Sequence, residues 1–269
     1  MFIVLGILFF IFGTIIGSFL NVVILRMGTG RGFGGRSACG SCRKKLSWYE
    51  LIPLVSFLIQ YGRCRACKIR LSRQYPLVEF VAGLLSLGVY AMFSYLLLLA
   101  PFSFTVWYVG MFSLWAVFLV IAVYDIRHTI IPDRLLVIGL ALVITLLTVQ
   151  YYPNVLWALV LYISSGLVLA LPFGLIFFFS RGKYIGFGDV KLTGLIGMML
   201  GLWGGITAIM AGIYLGAIVS IFLLVVKGKK YTLKTEIPFG PFLIIGTALV
   251  FFSAGTIVDL TLLFMSLFK

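Results

Sequence analysis

Acidic residues are scarce in this chain. Its 269 residues hold seven Asp and Glu against 21 Lys and Arg, and charged residues of both signs make up only 10%. So little charge excludes a soluble domain, because 62% hydrophobic residues and a mean hydropathy of +1.20 leave more apolar surface than one fold of this length can hide. The N-terminus has no basic stretch before its apolar run and no small-x-small pattern after it. Residues 2–25 therefore read as a retained span, not a cleaved signal. Histidine is reduced to His128, which between Arg127 and Thr129 reads as a solvated loop residue, and cysteine to four residues.

What remains is a succession of apolar runs, and the fold class expected is an all-α polytopic membrane protein of about eight transmembrane helices with a cytoplasmic zinc-binding insertion. A span needs roughly 20 apolar residues. The runs lie at about 2–25, 77–99, 105–124, 135–150, 155–179, 191–203, 206–226 and 238–265. The stretch 190–226 is too long for one span, so it is divided at Gly204-Gly205, a dipeptide suited to a sharp turn. With the N-terminus outside, the segments 26–76, 125–134, 180–191 and 227–237 face the cytoplasm and carry 20 of the 21 Lys and Arg, as the positive-inside rule asks. The net charge of +14 is thus spread between spans, facing anionic lipids, and does not indicate nucleic acid as a partner.

The four cysteines form two pairs, C-G-S-C (Cys39, Cys42) and C-R-A-C (Cys64, Cys67), inside the basic segment. This spacing suits a tetrahedral four-thiolate zinc site of structural type, since four protein ligands leave no open position. Two disulfides or redox thiols are the alternatives, and a reducing cytosol weighs against the former.

Asp125 ends the third run and opens D-I-R-H-T-I-I-P-D, while Asp189 closes G-F-G-D. Both fall on the cytoplasmic edge in the eight-span scheme. Carboxylates placed there serve either as a pair sharing one proton for hydrolysis, as proton carriers in transport, or as helix caps and local ion pairs with Arg127 and Lys191. Asp133, after a proline, suits a helix N-terminus. Glu79, near the start of the second span, carries the greatest membrane cost and is expected to have a buried partner.

Several segments taken together resemble the type IV prepilin peptidases, membrane aspartic proteases of the GxGD type. They are G-S-F-L-N-V-V-I-L-R at 17–26, the two cysteine pairs, L-S-W-Y-E-L-I-P-L-V-S at 46–56, S-R-Q-Y-P-L-V-E at 72–79, D-I-R-H-T-I-I-P-D at 125–133, G-F-G-D-V-K at 186–191 and P-F-G-P-F at 238–242. The resemblance implies that Asp125 and Asp189 are catalytic and that the substrates are prepilins or pseudopilins, cut after a basic leader at the cytoplasmic face of the bacterial inner membrane. It also implies N-methylation of the new terminus with S-adenosylmethionine, associated with residues 1–100, and a peptidase domain over 101–269. Glu79 and Glu236 are expected to assist the basic leader. No Rossmann-type glycine fingerprint marks where the methyl donor binds.

Overall fold

The computed structural model describes residues 2–30, 32, 34–226 and 237–267, with side chains described as far as Ser253. Along the chain lie α1 (Phe2–Arg26), a 3-10 turn (Trp48–Glu50), α2 (Val55–Ile59), α3 (Gln74–Phe93), α4 (Leu96–Leu99) and α5 (Pro101–His128). They are followed by α6 (Asp133–Gln150), α7 (Val155–Ser180), α8 (Phe187–Val226) and α9 (Gly240–Leu267). Strand structure among the described residues is limited to two isolated bridges, so the all-α expectation holds. Six helices, α1, α3, α5, α6, α7 and α8, are long and apolar enough to cross a membrane, and Gly240–Ser253 is a shorter apolar helix. The basic cluster at 227–234 and Glu236 lie outside the described residues.

The second span expected at 77–99 is divided: α3 stops at Phe93 and α4 ends at Leu99. Ala100 leaves the helical region (φ −151°, ψ 76°) because the next residue, Pro101, disfavours the α conformation before it. Pro101 then occupies the first position of α5, where its missing N–H costs nothing.

The chain forms two compact units, Met1–Val120 and Ile121–Lys269. In the first, α1 and α3 pack through small residues. A Cβ on Gly13 would lie 2.5 Å from Ser86 Cβ, and one on Gly17 would lie 2.8 Å from Ala82 Cβ, so only glycine allows this approach. Polar groups pin the same pair of helices. Asn21 donates to the Tyr75 carbonyl (3.1 Å) and accepts from Gln74 Nε2 (3.3 Å). Ser86 donates to the Phe9 carbonyl (2.5 Å) and also bonds Tyr108 OH on α5 (2.7 Å). Each contact satisfies a polar atom where lipid offers no partner.

In the second unit α7, α8 and α9 pack closely. The long α8 is not one rod. Gly201 has φ 71° and ψ −176°, a conformation essentially restricted to glycine, and the chain doubles back there into two arms. The reversal brings Gly205 onto Gly197, its built Cβ 3.2 Å from Gly197 Cα. The turn therefore falls at Gly201 and not at Gly204-Gly205. Those two glycines lie in the helix after it, where Gly205 serves close packing instead.

Candidate active site and cysteine cluster

Asp125 lies in the last turn of α5. It is buried, at 4% exposure, and its Oδ2 accepts the backbone N–H of Gly240 across 3.1 Å. The helix stops three residues later, where Thr129 takes a left-handed φ of 52° while its N–H still reaches the Asp125 carbonyl (2.8 Å). The short connection to α6 then sends Ile131 into the interior.

Asp189 lies in the first turn of α8, its N–H bonded to the Gly186 carbonyl (3.1 Å). Its Oδ1 is shielded from solvent and accepts no hydrogen bond from the described residues. The two carboxylates interact electrostatically. Ile131 ties their surroundings together: a Cβ on Gly188 would lie 2.9 Å from Ile131 Cβ, and one on Gly240 would lie 3.3 Å from Ile131 Cδ1 and 2.8 Å from Asp125 Oδ2. Gly188 is thus needed for close approach and not for a left-handed backbone, since neither it nor Gly186 has a positive φ.

The local pairings considered from sequence do not form. Lys191 bonds Asp133, at 2.7 Å, and not Asp189, and its ammonium sits over the Phe187 ring at 4.6 Å. This is the one ion pair among the described residues, so Arg127 does not engage Asp125. Asp133 opens α6 without a side-chain cap bond and is 70% exposed, which makes its ion pair a weak surface contact. His128 is exposed and packs against Tyr124 with the rings tilted by 36°. Glu79 is buried, at 7% exposure, and accepts the Leu54 N–H at 2.8 Å, with the Ser18 hydroxyl as a further partner. Its buried partner is therefore backbone and hydroxyl, not a cation. Gly240 and Ile131 had no role assigned from sequence. The only signal for Gly240 was its place in P-F-G-P-F, and Ile131 had none beyond its apolar character.

In the first unit the four cysteine sulfurs lie within 4.8 Å of one another, with Cys39 and Cys64 buried and Cys42 and Cys67 exposed. A tetrahedral zinc site of four sulfurs, with bonds of about 2.3 Å, has sulfur–sulfur edges of roughly 3.8 Å. The Cys39–Cys67 separation of 3.9 Å fits that cage. The two halves are built alike. Ala38 bridges Lys45 as Arg63 bridges Arg70, Arg43 donates to the Cys39 carbonyl as Lys68 does to Cys64, and Arg43 and Lys68 both turn at a left-handed φ. Backbone N–H groups of Cys67 and Ala66 pull the Cys64 thiol down to about 7, while the Cys42 thiol rises to about 11. The set can ligate a metal ion.

Two carboxylates converging from separate membrane helices, in a chain that also carries a four-cysteine cluster, define a polytopic membrane protein with an acid pair at its helix ends. Residues 11–93 match the family described as Bacterial Peptidase A24 N-terminal domain, and residues 111–221 match the Type IV leader peptidase family. The chain is 31% identical to the prepilin leader peptidase/N-methyltransferase of Stutzerimonas stutzeri, over 87% of this chain and 86% of that one. It is 28% identical to the protein so named from Bacillus subtilis, over 93% and 95%. For the one from Xanthomonas campestris the values are 30%, 92% and 91%. No solved structure matches. The chain belongs to the type IV prepilin peptidase family and is a multi-pass protein of the bacterial inner membrane.

Proposed function

We propose that this chain cleaves the basic leader from type IV prepilins or pseudopilins, with Asp125 and Asp189 as the hydrolytic pair. The observation that carries this reading is the convergence of the two carboxylates, one from α5 and one from α8, around Ile131 and Gly240. Two such groups at close range share one proton. The ionised member takes a proton from a water, whose oxygen attacks the scissile carbonyl. The protonated member polarises that carbonyl and then gives its proton to the departing amine.

The helices support a specific placement. Six helices are long and apolar enough to cross, and this reading counts the two arms of α8 separately and adds α9, for eight crossings. With the N-terminus outside, Asp125 and Asp189 then lie at the cytoplasmic side, where a basic leader would meet anionic lipid while its apolar helix stays in the bilayer. In this reading residues 101–269 form the peptidase and residues 1–100 serve methylation of the new N-terminus. S-adenosylmethionine, when bound, supplies the methyl group. Cys39, Cys42, Cys64 and Cys67 hold a structural zinc that fixes the two loops of a segment poor in apolar core.

Mass spectrometry of a prepilin-like substrate, incubated with the purified full-length chain and S-adenosylmethionine, tests both activities together. Loss of the leader and a gain of one methyl are expected. An intact substrate overturns the peptidase reading. Leader loss without the methyl leaves the peptidase standing and removes the methyltransferase.

A further inference from the structure

The four-cysteine segment carries an exposed surface of aromatic and basic side chains. Trp48 is 77% exposed, Leu58 71% and Tyr61 90%. Trp48 and Tyr61 belong to a connected surface. Tyr61 lines one concavity with Ile59, Arg63, Arg65 and Lys68; the Arg65 guanidinium lies 5.0 Å from the centre of the Tyr49 ring, and Tyr49 packs edge-on against Trp48.

Charge says what covers this face. Glu50 is the only carboxylate between residues 27 and 78, and it is buried and accepts the Ser47 N–H. The cations of the face have no acidic partner among the described residues. The segment is also tethered at both ends to membrane helices, following α1 and preceding α3, so it is held at one bilayer surface. Exposed Trp and Tyr beside Arg and Lys suit the headgroup layer, where the rings enter the interface and the cations meet anionic lipid.

We propose that the face formed by Trp48, Tyr61, Arg63, Arg65 and Lys68 docks on the anionic lipid surface of the membrane in which the chain is embedded. The four-cysteine segment then lies on the bilayer and does not project from it. This goes beyond the peptidase reading and does not depend on it.

The test places the photocrosslinking residue p-benzoylphenylalanine at position 61 of the full-length chain. The protein is reconstituted in nanodiscs of phosphatidylcholine alone or of phosphatidylcholine with phosphatidylglycerol, and adducts are identified by mass spectrometry. Lipid adducts enriched in the anionic discs are expected. In the variant R63Q/R65Q/K68Q the bound-to-free ratio should fall roughly fivefold for each cation removed. Zinc content shows whether that variant keeps its fold; if it does not, the comparison of the two lipids with all cations in place decides alone. Adducts to polypeptide, an absence of adducts, or lipid adducts equal in both discs would each overturn the proposal.

Discussion

Gly240 gives its backbone N–H to Oδ2 of Asp125, joining residues 115 positions apart in the sequence. A methyl group on Gly240 would stand 2.8 Å from that oxygen. The glycine therefore lets the backbone approach a carboxylate that any side chain would push away. The Gly240→Ala variant should insert normally but lose leader cleavage on the order of 10²-fold, the usual result of displacing a reacting group by about an ångström. A cleavage assay on membranes with matched protein levels checks this; unchanged cleavage would show that the contact does not set the position of Asp125.

On the proposed mechanism, Asp125→Asn and Asp189→Asn should each lower cleavage by about 10³-fold or more, because each variant would remove a group that exchanges a proton with water or amine. Both side chains keep their shape, so the thermal melting profile of the purified protein should change little. Processing retained in either variant sinks the assignment of the pair.

The cysteine cluster should hold about one zinc per chain. The double variant Cys39→Ser/Cys64→Ser removes one ligand from each half, both of them buried. It should lose the metal and leave the segment after α1 open to proteolysis, while leader cleavage in the second unit is less affected. Metal analysis beside limited proteolysis checks this, and intact zinc would reject the site.

Gly201→Ala should destabilise the second unit by about 1–3 kcal/mol, since the backbone there is strained for any residue with a Cβ. The nearest side-chain atom lies at an ordinary 3.5 Å, on Tyr162, so the penalty is conformational and not steric. Gly204→Ala, inside the following helix, gains up to about 1 kcal/mol of helix propensity against a tight 3.0 Å approach to Leu200 Cβ, so its net effect should be smaller than that of Gly201→Ala. Equal effects on thermal unfolding in the two variants would show that the reversal does not depend on Gly201.

Much of this was legible in the sequence, and the reason is the membrane. Lipid forces backbone polar groups to pair within helices, so apolar runs mark elements with little ambiguity. It also makes Asp125 and Asp189 conspicuous, because a carboxylate there needs a purpose. The cysteine pairs stood out through their spacing. What composition does not encode is contact between distant elements. Ile131 looks like any apolar residue until it is seen wedged against Gly188 and Gly240. Gly204-Gly205 looked the better turn because two adjacent glycines permit more than one. The reversal lies instead at Gly201, which alone of the three has a positive φ. A local pair of Lys191 with Asp189, one alternative open from the sequence, does not form, because on a helix a spacing of two faces the side chains apart and Asp133 is within reach.

The reversal at Gly201 also sets a parity. From Asp125 the chain makes four passes, α6, α7 and the two arms of α8, before α9 begins, and an even number returns it to the edge where it started. As one straight rod, α8 would run about 60 Å and leave α9 to begin at the far end of the unit. Gly240 would then have no route to Asp125. One glycine conformation thus lets α9 begin beside Asp125.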